Sequence, residues 1–199
     1  MNFLAHAFLA RHEAALRVGG LAGDFVKGLL PAGLPPDLAR GVALHRAIDG
    51  FADRHPAFQA SRRRVGTARR RYAGVLVDMF YDHLLARTWS EHHDEALGHF
   101  CADTYRLATA RLDELPEGFA RVLPSMRAGD WLSSYREGAA VADALSRMSR
   151  HRIRRENPLG DGFQDFEADE GGFAADFRDF LPAANDFVRA WRHEHGAPP

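Results

Sequence analysis

Apolar residues recur at helical spacing along almost the whole chain, and no stretch alternates with the period of a strand. Asn2 to Ala15 reads as a first helix, with Phe3, Leu4, Ala7 and Phe8 on one face and Asn2 and His6 on another. Gly19 to Leu30 is glycine-rich and apolar, a composition that allows close backbone approach. Pro31 to Pro36 interrupts the pattern and opens the next element, since Pro suits the first helical turn. Asp37 to about His55 then predicts one long helix with Leu38, Gly41, Val42, Ile48 and Ala52 on one arc. Pro56 ends it, because the residue before Pro disfavours the helical region. Phe58 to Tyr72 is strongly basic, and about Tyr72 to Thr88 predicts a central helix whose stretch Val75 to Leu85 is apolar on nearly every side. Glu91 to Leu115 predicts a long helix bearing His92, His93 and His99 on its surface. Pro116 and Pro124 bracket a short element, Trp131 to Tyr135 starts another, and Ala139 to Arg152 follows. Asn157 to Gly172 reads as loop. Phe173 to Glu194 is a last amphipathic helix in which Pro182 predicts a kink or break. The expected fold is all-α: a single helical domain over residues 1–199, with 157–172 as its main loop.

Polar residues that break this pattern point to chemistry. Asp78 and Asp82 lie four residues apart inside the apolar stretch VLVDMFYDHLL, so both carboxylates share one helical face. Burying an ion costs roughly several kcal/mol, against a whole-domain stability of about 5–15 kcal/mol. The pair therefore needs a metal, basic partners or protonation. His45 and Asp49 occupy the middle of the apolar arc of the helix before, again at i, i+4, a spacing that lets them bind one ion or orient one base. His6 belongs to the first helix, where the alternative is a hydrogen-bonded core histidine. Asp24 and Lys27 follow the glycine-rich stretch, and a helix cap is the plain reading of Asp24. His83 points about 100° away from Asp82. Arg46 and Asp53 lie at the edge of the arc.

Composition narrows the classes. A chain of 199 residues with 46% apolar residues builds one sizeable core, and a formal net charge of −1 supplies no global pull toward nucleic acid or membrane. Cys101 is the single cysteine, which excludes an internal disulfide and a thiolate-rich metal site. The N-terminal stretch lacks the pattern of a signal peptide, and no run approaches a membrane span of roughly 18 apolar residues, so a cytoplasmic setting is expected. Lys27 is the only lysine among 26 basic residues. Arg62, Arg63, Arg64, Arg69, Arg70 and Arg71 fall within ten positions, as a solvated face or as a docking patch for an acidic partner or phosphate. No aromatic residues interleave with them, which disfavours single-stranded nucleic acid.

Histidine and carboxylate without thiolate form a hard-to-borderline donor set suited to Mn²⁺, Mg²⁺ or Fe²⁺. In a helical core such a set most simply performs metal-assisted hydrolysis, with Lys27 or Arg46 stabilising developing charge. A di-iron bundle would bring Glu-x-x-His pairs, which the site lacks.

At these residues the chain resembles the acyl carrier protein phosphodiesterase family. MNFLAH, GDFVKG, LHRAIDGFADRHP, VLVDMFYDHLL and YREGAAVADALSRMSRHRIRREN occur in order and cover most of the chain. The resemblance implies removal of 4′-phosphopantetheine from holo acyl carrier protein, Mn²⁺ dependence, and a helical fold related to HD-domain phosphohydrolases. Under it, Asp24 matches the acid of a D-F-V-[RK] motif. His45 and Asp49 match H-R-x-I-D, and Asp78, Asp82 and His83 match D-x-x-[WY]-D-H. The HD superfamily usually has adjacent His-Asp ligands, whereas this chain has Asp82-His83. Lys27 stands where some relatives are expected to have Arg, which keeps the charge and gives up bidentate phosphate contact. The resulting expectation is a metal held by some of His45, Asp49, Asp78 and Asp82, with Asp24 close by. His6 or His83 donates a proton to the leaving group, and the arginine run docks the acidic carrier protein. The alternatives are a non-catalytic module that grips an acidic protein, and an HD-like hydrolase of nucleotides or other small phosphodiesters.

Overall fold

A computed structural model describes residues 2–151 and 156–196. The described residues form α-helices joined by short 3-10 turns, with no strand among them. The helices are α1 (Phe3–Leu9), α2 (Ala14–Ala22), α3 (Pro36–Arg54), α4 (Pro56–Arg64), α5 (Ala73–Arg87) and α6 (Leu97–Ala110). They continue with α7 (Glu117–Ala128), α8 (Trp131–Ser134), α9 (Gly138–His151), α10 (Phe163–Ala168) and α11 (Glu170–Glu194).

The central element is α5. Phe80, Tyr81, Asp82 and Leu85 are fully buried on different sides of it. It is surrounded by α1, α4, α9, α10 and α11. A helix that is apolar all round has to sit inside other helices, and this one does. Against this centre, α2 and α3 pack as a tight pair, with α11 across α3 and α4. The contact of α2 with α3 depends on two glycines. A Cβ on Gly19 would lie 2.5 Å from the Leu38 carbonyl oxygen, and one on Gly41 would lie 2.8 Å from the Gly19 Cα. Glycine at both positions lets the two backbones meet directly.

Several boundaries differ from the sequence pattern. The first helix stops at Leu9, and a turn separates it from α2. That turn exposes Glu13 to Arg40 of α3 at 2.8 Å and to Arg192 of α11 at 2.9 Å, while Arg17 donates to the Arg11 carbonyl at 3.0 Å. The expected helix from Glu91 to Leu115 begins only at Leu97. Before it, the Trp89 indole donates to the Glu95 carbonyl at 2.7 Å and holds the chain in a turn. Pro124 lies inside α7 rather than at its end. Pro182 likewise leaves α11 as one helix, because Phe177, Phe180, Leu181 and Ala184 bury both sides of it. The segment read as loop contains α10, whose Phe166 is buried against Phe80 and Phe173. Six residues are too few to display a helical period. The basic run at His151, Arg152, Arg154 and Arg155 falls largely outside the described residues.

Candidate metal centre and its cavity

Two helices and a 3-10 turn bring the candidate side chains together. From α1, His6 stacks on His45 of α3, with ring centroids 3.8 Å apart and 18° between planes. One turn further along α3, Asp49 reaches both rings. Its Oδ1 lies 3.2 Å from His6 Nε2 and its Oδ2 lies 3.2 Å from His45 Nε2. Asp24, in the 3-10 turn after α2, sets Oδ1 3.5 Å from His45 Nε2. His6, His45 and Asp49 each offer a ligand atom within 4.8 Å of the others.

Local backbone explains this convergence. His45 Nδ1 lies 2.8 Å from the Gly20 carbonyl, so it carries the proton and donates it. That bond leaves Nε2 facing the carboxylates, the support a ligating histidine needs. Gly23 makes room for the ring, since a Cβ there would lie 2.3 Å from His45 Cγ. Of the glycines between Val18 and Asp24, Gly23 therefore has an identifiable job at the site itself.

Electrostatics follow from burial and from these neighbours. Burial pushes His6 down to about 3, with the nearby His45 acting in the same direction. Burial also opposes charge on His45, but hydrogen bonds to Asp24 and Asp49 outweigh it and hold the ring up at about 9. Burial works against ionised Asp49 too, and the two histidines still pull it below the carboxylate range. Asp24 is lowered, chiefly by its hydrogen bond to His45. The group is thus a neutral imidazole, a proton-holding imidazole and carboxylates around one point.

The donor set fits a divalent cation. Two imidazoles and a carboxylate suit Mn²⁺ or Fe²⁺, with Mg²⁺ the poorest match. Neighbouring ligand atoms around one such ion stand roughly 3 Å apart. The 3.2 Å separations here agree with that spacing.

The structure redistributes the other predicted residues. Asp78 is outside the close group but lines the same polar cavity of about 450 Å³ as Asp24, Lys27 and Asp49. Burial raises its carboxyl above the usual range, and Asp49 and Asp24 add to the shift. Asp82 is completely buried behind α1, where its two oxygens accept the Leu4 N–H at 2.8 Å and the Ala5 N–H at 2.9 Å. It caps the helix that carries His6, so its place is as an anchor rather than in the ligand group. Burial nevertheless pushes it up to about 7. His83 turns the other way. Its Nδ1 lies 2.7 Å from the Tyr135 carbonyl and its ring packs on Phe163 and Phe166, which removes it from the site. Arg46 donates to the Gly28 carbonyl at 2.8 Å and the Val26 carbonyl at 3.0 Å, bracing the loop around Lys27 instead of facing the cavity.

The arginine run also divides. Arg64 pairs with Asp169 and Asp176, each at 2.7 Å, and Arg69 with Asp165 at 3.0 Å; both tie the run to the C-terminal helices. Arg62, Arg63 and Arg70 are exposed and line a surface hollow with Asp53. Arg71 is exposed beside them in sequence. Asp53 also lines the polar cavity, so hollow and cavity adjoin. Sequence reasoning passed over Met79, Trp131 and Met148, which wall an apolar cavity beside the site. Their helical spacing made them look like ordinary core.

Fold and site together define an all-α protein with a candidate His–Asp metal centre whose Asp49 lines an acidic cavity. Residues 1–184 match the family described as acyl carrier protein phosphodiesterase. Acyl carrier protein phosphodiesterases of Escherichia coli O157:H7 and of Escherichia coli strain K12 / DH10B are each 31% identical to it over 183 residues, 92% of this chain and 94% of theirs. The chain belongs to this family of enzymes. No solved structure matches it. Among the described residues no helix is long and apolar enough to cross a membrane.

Proposed function

We propose that this protein is a divalent-metal phosphodiesterase that removes 4′-phosphopantetheine from holo acyl carrier protein, leaving the apo protein. The observation that carries the reading is the convergence of His6, His45 and Asp49, with Asp49 lining one cavity together with Asp24 and Asp78, in a chain of this family. Paired histidines and aspartates on packed helices also support kinship with HD-domain phosphohydrolases.

His6, His45 and Asp49 would hold the ion, with Mn²⁺ favoured by the mixed nitrogen and oxygen donors. Such an ion, when bound, acidifies a water and neutralises charge on a phosphoryl oxygen. The remaining work belongs to the chain. Asp24, ionised and beside His45, orients the attacking water and accepts its proton. Lys27 lines the cavity and contacts the phosphoryl oxygens. Oxygen of water bonds to phosphorus as the bond from phosphorus to the carrier serine oxygen breaks. Asp78, held toward its protonated form, donates to that serine oxygen. Apo carrier and 4′-phosphopantetheine are the products, and the protons balance. The exposed Arg62, Arg63, Arg70 and Arg71 orient the acidic carrier at the mouth of the cavity.

The test is intact mass spectrometry of holo acyl carrier protein incubated with the purified protein, with Mn²⁺ or with a chelator. Loss of the phosphopantetheine mass only with metal is expected. Retention of that mass under both conditions contradicts the reading.

A further inference from the structure

The polar cavity is continuous with a second cavity of different chemistry. Asn2, Asp24, Met79 and Met148 line both. Beyond them the second cavity, about 260 Å³, is walled by Phe3, Trp131 and Tyr135 and by Ala140, Ala144 and the charged Arg147 of α9. Its size approaches the roughly 300 Å³ at which small-molecule pockets begin, and the adjoining polar cavity extends it. Through a different lining residue, Asp53, the polar cavity joins the arginine hollow. The three spaces therefore adjoin in order: cationic, acidic, mainly apolar.

We infer that the apolar cavity is the binding slot for the pantetheine arm of the substrate. This inference rests on the reading above and adds a direction to it. A carrier protein docked on the arginines presents its serine phosphodiester to Asp24, Asp49 and Asp78. The arm continues away from the carrier, and the cavity that shares Asp24 with the polar one leads to Trp131 and Met148, whereas the hollow that shares Lys27 with it is lined by Asp113 and Glu114. The arm carries a gem-dimethyl group, methylenes and two amides. Aromatic and thioether walls suit the first two. Asn2 and Ser134, both lining the slot, supply polar contacts for the amides. Ala140 and Ala144 keep the wall on α9 low enough for a chain to enter. The phosphopantetheine product stays seated after the serine oxygen departs, so the slot also separates the two products.

The test uses acyl carrier protein whose pantetheine ends in a diazirine, mixed with the metal-free protein, irradiated and mapped by peptide mass spectrometry. Crosslinks between residues 131 and 148 are expected. Ala144→Trp, which fills the slot, should reduce them at least tenfold while Mn²⁺ affinity, the check on folding, is kept. Crosslinks mapped to α3 or α4, or none above a control with apo carrier, overturn the inference. Because no turnover is needed, the outcomes separate. Mass loss from holo carrier with crosslinks elsewhere defeats the slot alone. Crosslinks in the slot without mass loss defeat the hydrolase reading and leave the slot standing.

Discussion

His45 concentrates the chemistry of the site in one side chain. Asp24 and Asp49 keep it protonated to about 9 in the metal-free protein, with His6 stacked on it and Asp78 lining the neighbouring cavity. A cation has to displace that proton, so Mn²⁺ affinity should rise about tenfold per pH unit up to the histidine's value and level off above it. Titration calorimetry between pH 6 and 10 checks the slope, and a flat profile contradicts it. Gly23→Ala places a Cβ against the same ring, 2.3 Å from Cγ in the present geometry. Because misplacing a catalytic group by about 1 Å can cost about 100-fold, kcat should fall by that order with circular dichroism unchanged. Asp78→Asn should cripple turnover of holo carrier and spare a p-nitrophenyl diester, whose leaving group needs no proton. Equal losses on both substrates would remove Asp78 from the acid role. His45, Asp49 and Asp24 were legible in the sequence because each interrupts an apolar pattern. His6 was legible as a candidate but not as a member of the close group with Asp49, since only packing reveals that α1 lays it on His45.

Helix placement decides which polar residues reach the site. Asp78 and Asp82 share a helical face in sequence, yet one lines the cavity and the other caps α1 from behind. Spacing alone cannot separate these fates, because the entry angle of α1 determines them. Asp82→Ala leaves the Leu4 and Ala5 N–H groups buried without their acceptor, at a cost of about 1–3 kcal/mol. Urea unfolding should show that loss, and Mn²⁺ affinity should weaken as His6 loosens. The close contact of α2 with α3 explains glycines that the sequence marked only as permissive. The loop read between Asn157 and Gly172 was missed as helix because two phenylalanines anchor it rather than a repeating face. His83 and Arg46 show the opposite failure. Their neighbours in sequence belong to the site, while their own side chains serve the fold.

Across the whole molecule, ion pairs outside the site hold the helices that build it. Glu13 joins α3 to α11 through Arg40 and Arg192. Burial disfavours its charge, but hydrogen bonds to Arg192 and Arg40 hold it below its ordinary value of 4.5. A lowered carboxylate stabilises above its unfolded value and loses that contribution as pH falls through the folded one. Glu13→Gln should therefore cost about 1 kcal/mol at neutral pH, with the difference closing in strong acid. The arginine run was legible as a patch, but its division was not, because the acids that claim Arg64 and Arg69 lie far along the chain. Replacing Arg62, Arg63, Arg70 and Arg71 with serine should raise KM for carrier protein by on the order of tenfold at low salt and flatten its salt dependence. Replacing Arg64 or Arg69 should lower Tm instead. The family and the all-α class could be read from motifs and periodicity, whereas the candidate ligand group required the fold. Electron paramagnetic resonance titration of Mn²⁺ into the protein and its His6→Ala, His45→Ala, Asp49→Ala and His83→Ala variants probes that group most directly. Tight binding in the parent and in His83→Ala, lost in the other three, is the predicted result. Undiminished binding in Asp49→Ala would contradict it.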